Sequence, residues 1–423
     1  MFDLIVQNAC LPEGGSLTDI AVKEGKIVEV APGIIGEAVS KIDACGHLVS
    51  PPFVDSHFHM DAALTFGQPR VNASGTLLEG IAIWAELKPT LCVDEIKSRA
   101  LRFCRWSIAR GTLAIRSHVD ISDDGLLAVK ALIDVREEIK PWLDLQLVAF
   151  PQDGFLRLPS ARDNLLRALD MGVEVVGGIP HFERTMAEGT ESVRQLCEIA
   201  AERGLMVDMH CDESDDPMSR HIETLACETV RLGLNGRVAG SHLTSMHSMD
   251  NYYVSKLIPL MVEAEIHAIA NPLINITLQG RHDTYPKRRG MTRVKELMAA
   301  GINVAMGHDC VMDPWYSLGS HDMLDVAHMG LHVGQMTGLQ EMYSAYKAVT
   351  YNAARALNLE GYGLKVGSNA DMVVLQCHDP IEALRLRPQR LLVIRRGKVI
   401  AKTAPSEPVV SLGDGDEMVS FFL

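Results

Sequence analysis

The chain is short of several things, and each shortage excludes a class of protein. No apolar run approaches the length of a bilayer-spanning helix, which rules out an integral helical membrane protein. Lys and Arg number 40 against 54 Asp and Glu, a net charge of -14, so the basic face that nucleic-acid binding needs is missing. The nine cysteines are an odd number without a Cys-x-x-Cys pair, so neither a disulfide framework nor a zinc ribbon is expected. Most should be buried thiols, for which a reducing cytoplasm is the natural setting. The start, Met1-Phe2-Asp3-Leu4, lacks the basic-then-apolar order of a secretion signal. Low-complexity stretches are absent, and no repeat appears beyond an alternation of strands and helices.

What is present is size and apolar content. With 423 residues, 47% of them hydrophobic, the chain can build a large catalytic domain and a smaller one. The middle alternates short β-rich runs with helical patterns. Strands are expected at Leu48–Asp55, Thr112–His118, Leu145–Phe150, Glu174–Ile179, Met206–His210, Val238–His242, His267–Asn271 and Asn303–His308. Helical patterns include Leu126–Glu138, Ala161–Leu169, Glu191–Glu202, Met218–Arg231, Tyr253–Glu263 and Thr292–Ala300, with one more near Leu78–Leu87. Eight strands alternating with helices predict an α/β fold, a parallel (β/α)8 TIM barrel. Both ends read instead as hairpin-like strands, such as Asp19–Lys23 and Lys26–Val30 around Glu24-Gly25. The expectation is a small β-sandwich domain formed by both termini, residues 1–50 with 363–423, around a barrel at 51–362.

The most informative local feature is His57-Phe58-His59 in the run Pro51-Pro52-Phe53-Val54-Asp55-Ser56-His57-Phe58-His59. Alternate residues of a strand share a side, so the two imidazoles point the same way and can serve one divalent metal. In a (β/α)8 barrel the chemistry sits at the C-terminal strand ends. There the fifth strand ends in His210-Cys211-Asp212-Glu213, the sixth in His242 and the eighth in His308-Asp309-Cys310, while the third leads into Phe150-Pro151-Gln152. One histidine alone is more often a hydrogen-bonded core or loop residue; several on one rim are not. His57, His59 and His210 with Asp309 make a three-nitrogen, one-oxygen set that suits one Zn or Fe(II) ion and leaves room for water. Such an ion brings the pKa of bound water towards neutrality, and Asp309 can accept its proton.

This pattern resembles the amidohydrolase superfamily over nearly the whole chain. Gly363-Leu364-Lys365-Val366-Gly367-Ser368-Asn369-Ala370-Asp371 looks like its usual return into the small β domain. Binuclear members carry a lysine at the end of strand 4; here stands Gly177-Gly178-Ile179-Pro180, which favours a single metal. The runs Val148-Ala149-Phe150-Pro151-Gln152, Asn271-Pro272-Leu273-Ile274-Asn275-Ile276, Gln279-Gly280-Arg281-His282-Asp283 and Asp313-Pro314-Trp315-Tyr316 resemble bacterial cytosine deaminases. The other deaminase architecture, with a Glu beside a His and a Pro-Cys-x-x-Cys, is not matched.

The resemblance implies hydrolytic deamination of a free pyrimidine base and a homo-oligomer. Glu213 is the candidate proton shuttle between ring nitrogen and departing amine. His242 is expected to hydrogen-bond the attacking oxygen. Gln152, whose amide both donates and accepts, suits the amide-like edge of a pyrimidone. Leu77 and Trp315 are expected to wall the ring. One departure stands out: the deaminase pattern has a second carboxylate after the metal-binding Asp, and this chain has Cys310. A small uncharged wall there makes space for a methyl group, so 5-methylcytosine, giving thymine, is an expected substrate beside cytosine, giving uracil. Two other readings compete. One is a deaminase of another ring, such as isoguanine or an aminotriazine. The other is a non-enzymatic metal-binding scaffold, which predicts a lost ligand or acid; none is lost.

Overall fold

The structure, a computed structural model, describes residues 1–413 and 415–422. Eight parallel strands lie side by side in chain order: Phe53–Phe58, Thr112–Asp120, Asp144–Phe150, Val175–Gly178, Met206–Cys211, Val238–His242, His267–Ala270 and Asn303–Met306. The ring closes where the chain leaves the last strand. Phe58 and Asp309 form a parallel bridge, with His59 N donating to Asp309 O (3.0 Å) and Asp309 N to His57 O (2.8 Å). Helices cover the outside, so the strands are buried on both faces, as all nine residues of Thr112–Asp120 are. The helices obey local rules: Met186–Arg203 starts at Thr185, whose side chain accepts from Glu188 N, and stops at Gly204, at φ 68°.

The two chain ends form two four-stranded sheets. One holds Phe2–Ala9, Thr18–Lys23, Lys26–Ala31 and Ala38–Asp43; the other holds Leu48–Ser50, Met372–Leu375, Arg390–Arg395 and Lys398–Lys402. Leu4, Val6, Ile20 and Val22 of the first pack with Val49, Met372, Val374 and Ile394 of the second in one apolar cluster. This is the β-sandwich built from both termini. Its fourth strand is not part of a hairpin: Ala38–Asp43 pairs parallel with Phe2–Ala9.

The structure corrects the sequence reading in three places. Leu48–Asp55 is two strands, because Pro51-Pro52 has no N–H to donate to a ladder. Leu48–Ser50 belongs to the sandwich and Phe53–Phe58 to the barrel, so the break is the handover between them. The second barrel strand runs on past His118 to Asp120. Helices Val93–Ala109, Met323–Val333, Leu339–Ala348 and Tyr351–Ala356 were not expected, and the first makes the long connection after the first strand a helix pair with Leu77–Leu87.

Candidate active site

The rim where the ring closes gathers the predicted ligands. The donor atoms of His57, His59, His210 and Asp309 all lie within 4.8 Å of one another, and all four residues are buried. His57 Nε2 and His59 Nε2 are each 3.5 Å from Asp309 Oδ1, and His59 Nε2 is 2.9 Å from His210 Nε2. Ligands about 2.0–2.2 Å from a shared tetrahedral ion would be spaced in that range. His57 Nε2, which faces the cluster, is buried without a hydrogen-bond partner among the described residues. Buried nitrogens left unsatisfied need an explanation, and a cation supplies one. Burial pushes His59 down to about 3 and His210 well below its ordinary value, so these imidazoles are neutral, as metal ligands must be.

A second grouping of His57, His118 and Asp208 lies deeper in the barrel. Its carboxylate already has a cation: Arg116 Nη1 sits 2.9 Å from Asp208 Oδ2, both side chains fully buried. Ser241 Oγ adds a 2.6 Å bond to Asp208 Oδ1. An arginine in that place opposes a second metal and supports the floor of the first site.

The strand ends are held in unusual backbone geometry. Asp212, His242 and Asp309 have φ of 56°, 71° and 70°, in the left-handed region that costs an ordinary residue about 1–2 kcal/mol. Such outliers persist where surrounding contacts over-determine them. Asp55 supplies one set of contacts: Oδ1 accepts from His57 N (3.1 Å) and His308 N (3.0 Å), and Oδ2 lies 2.8 Å from His321 Nε2. It therefore ties the first strand to the turn after the eighth. Asp212 does the same after the fifth strand, accepting from Ser219 Oγ, His221 N and Ile222 N.

Above the ligands lies a cavity of about 80 Å³. At about 10–15 Å³ for each water on this measure, it has room for roughly six waters, the size of one small heterocycle. Gln152, Glu213, His242, Asp309, Cys310, Leu77 and Trp315 all line it, with His59 and His210 at its floor. His57 stands just below, fully buried. Burial, reinforced by the Asp309 carboxylate, raises Glu213 well above the ordinary carboxyl value. Its Oε1 is 3.4 Å from His242 Nδ1. Asn275 Nδ2 is 2.9 Å from the same nitrogen, Asn271 Nδ2 is 3.3 Å from it, and His242 Nε2 is 3.7 Å from Asp309 Oδ2.

The roof is the helix Leu77–Leu87, capped by Thr76 accepting from Glu79 N. Trp315 packs so closely against it that a Cβ at Gly80 would come within 2.4 Å of the indole. Asp313 Oδ1 accepts from Trp315 N and Tyr316 N, both at 2.9 Å, and fixes the turn that presents the ring. Cys310 belongs to an apolar cluster with Ile274 and Leu278, against which Leu77 and Trp315 pack. Burial and the Asp309 charge push its thiol well above its ordinary value, so it is uncharged.

Several contributors escaped the sequence reading. Ile81 and His181 line the cavity, and Asp55, Arg116, Asp208 and Asn275 position what does. Asp55 lay within the quoted histidine run, but nothing in a single sequence tells a buried clamp from a strand-end acid.

Residues 41–401 match the amidohydrolase family. The chain belongs to that family. It superposes on crystalline 5-methylcytosine deaminase from Klebsiella pneumoniae, liganded with 5-fluorocytosine, with a TM-score of 0.93 and 42% identity, covering 96% of this chain and 98% of that one. It is 31% identical over 408 residues to an N-isopropylammelide isopropyl amidohydrolase of Pseudomonas sp. strain ADP, covering 95% and 98% of the two chains. A pterin deaminase of Rhizobium rhizogenes is 28% identical over 93% of this chain and 90% of its own length. Family and relatives together make this amidohydrolase a hydrolase of carbon–nitrogen bonds. Among the described residues no helix is long and apolar enough to cross a membrane.

Proposed function

We propose that the protein hydrolytically deaminates a free aminopyrimidine base, converting 5-methylcytosine to thymine and cytosine to uracil with release of ammonia. The observation that carries this reading is one ring-sized cavity lined together by Gln152, Glu213, His242 and Cys310 above the His57, His59, His210 and Asp309 cluster. The 42% identical neighbour named for the same chemistry supports it.

A single Zn or Fe(II) ion on the four ligands would supply an activated water. The remaining work falls to side chains. Gln152 matches the ring's N–H and carbonyl edge and turns the amine-bearing carbon towards the ligands. Glu213, held protonated by burial, gives its proton to the ring nitrogen as the carbon–oxygen bond forms. It regains a proton from the hydroxyl of the adduct, passes it to the amine as the carbon–nitrogen bond breaks and ammonia leaves, and is reset by the proton that Asp309 holds. His242, which stands beside Glu213 and Asp309, hydrogen-bonds the attacking oxygen, while Asp309 takes up the water's proton. Roofed by Leu77 and Trp315, the ring is shielded from bulk solvent.

Cys310 sets the preference. Its apolar neighbours Ile274 and Leu278 offer a wall to a 5-methyl group, worth about 0.8 kcal/mol in transfer alone. Ammonia release from the metal-loaded protein, measured for 5-methylcytosine and cytosine, tests this; the expected result is a higher kcat/KM for the methylated base. A large preference for cytosine removes the role given to Cys310. A second reading, an aminotriazine substrate, has the 31% identical relative in its favour, so ammelide-type rings and isoguanine belong in the same panel.

A further inference from the structure

We propose that Lys88 is a positioning residue for substrate recognition: its ammonium holds Asp153 and so fixes where Gln152, the next residue back, stands in the cavity. The proposal rests on the reading above in which Gln152 meets the ring edge.

Lys88 caps the C-terminal end of the roof helix. Its Nζ lies 2.8 Å from Asp153 Oδ2 and 3.1 Å from Asp120 Oδ2. Asp120, at the end of the second barrel strand, is itself fixed: Trp84 Nε1 of the roof helix donates to its Oδ2 at 2.8 Å, and its backbone N donates to Asp61 Oδ2 at 2.9 Å. One cation thus joins three elements: the roof helix, the second strand and the loop that carries Gln152. Asp153 N also donates to Ser122 Oγ, so the loop leans on the turn that follows the second strand as well. On its other flank Glu183 accepts from the backbone N of Phe155, Leu156 and Arg157. Gln152 sits at the unclamped turn between, its N bonded only within the local chain to Phe150 O.

The ion pair is built for placement rather than for stability. The Asp153 side chain is 40% exposed, and pairs with such exposure contribute little to folding. Lys88 is 17% exposed and cannot follow the loop outward without leaving Asp120. Burial opposes its charge, but Asp120 and Asp153 more than offset this and keep the ammonium protonated. Ligand-facing groups lose efficiency steeply when displaced by an ångström. Loss of the tie should therefore weaken ring binding while the proton-moving groups stay in place.

The test uses metal-loaded full-length protein and whichever base it turns over in the panel above, with Lys88→Met, Lys88→Arg, Asp153→Asn, Gln152→Ala and Lys88→Met/Gln152→Ala compared. Lys88→Met and Asp153→Asn should each raise KM about tenfold with kcat within about threefold of the parent. Lys88→Arg should recover most of the loss. In the Gln152→Ala background, Lys88→Met should change KM by less than about twofold, because its route of action is gone. Two results would overturn the proposal: an unchanged KM in Asp153→Asn, or a full tenfold effect of Lys88→Met added to that of Gln152→Ala. Turnover of 5-methylcytosine by the unsubstituted protein judges the substrate reading separately, since the Lys88 comparison is a ratio between variants on any accepted ring.

Discussion

The barrel rim and the terminal sandwich follow opposite rules. In the sandwich, unusual backbone serves the turns: the hairpin at Glu24-Gly25 has both turn residues at positive φ, and so does the one at Arg396-Gly397. Apolar faces meet in one cluster. The rim departs from this. Imidazoles are buried without partners, a carboxyl is buried beside another carboxylate, and left-handed backbone falls on His242 and Asp309, whose side chains face the cavity, rather than on hairpin turns. The difference separates the parts of the molecule that store stability from the part that spends it on chemistry. It also implies that substitutions at the rim change turnover and leave folding nearly alone, whereas those in the sandwich do the reverse.

The sharpest challenge to that contrast is Glu213→Gln. Loss of the proton carrier should lower kcat by a factor on the order of 10³ or more, within the range general acid–base catalysis supplies. Because the carboxyl is buried with only a 3.4 Å approach to His242, the neutral amide should not lower the melting temperature. A melting point that fell by many degrees would show the rim to be structural and erase the distinction. Metal removal makes a companion case. Chelation should abolish turnover and lower the melting temperature, because a ligand bound only by the folded state stabilises it; Zn or Fe(II) should restore both. Calorimetry with and without chelator reads the two effects together.

Next in size is Gln152→Ala, expected to raise KM by about ten- to a hundredfold with a smaller change in kcat. Steady-state kinetics on the accepted base give the split. A fall in kcat with KM unchanged would move Gln152 from recognition to chemistry.

The contrast also explains what a single sequence discloses. Histidines at strand ends were visible because the barrel's period of strand and helix places them on one rim, and because His-x-His on a strand has a fixed geometry. His57, His59, His210, Glu213, His242 and Asp309 lie together at that rim. The strand beginning at Leu48 was drawn too long because β propensity runs through Pro51-Pro52, and only the missing N–H groups reveal the handover between sheets. Arg116 and Asp208 stayed hidden for a different reason. A buried ion pair joins residues 92 apart in the chain, and neither residue carries a local sign of its partner. Helices such as Leu339–Ala348 are hard to read from a single sequence because the face they bury is short, only Ala345, Tyr346 and Ala348 here.

On the sandwich side the largest effect should come from Arg395→Met. Arg395 Nη1 is 2.9 Å from Asp371 Oδ2, and Nη2 is 2.7 Å from Asp144 Oδ1 at the start of the third barrel strand. The arginine is nearly buried, and its loss leaves Asp371 with only the backbone N of Arg396 at 2.7 Å and that residue's guanidinium at 3.9 Å, so it should cost about 3 kcal/mol of stability. Denaturant unfolding would measure that cost, and kcat/KM of the surviving folded protein should stay within about twofold of the parent. A large kinetic defect would mean that the sandwich steers the rim, and the separation would need redrawing.

The smallest effect tests the contrast most finely. Glu24 has a φ of 51° and precedes Gly25 at 71°, the geometry of a tight hairpin turn that favours Asn-Gly. Glutamate bears a steric cost there that asparagine largely avoids, because its short polar side chain tolerates left-handed backbone. The backbone N of Glu24 donates to Asp3 Oδ2, and that bond survives the substitution. Glu24→Asn should therefore stabilise the protein by a few tenths of a kcal/mol, since the turn gains and nothing else is touched. Paired unfolding curves can resolve a shift of that size, with kcat/KM as the control. The same relief attempted at Asp309, whose φ of 70° is as unfavourable, would remove a ligand from the rim. Strain can thus be relieved in the sandwich without loss, while at the barrel mouth it is inseparable from the side chain that bears it.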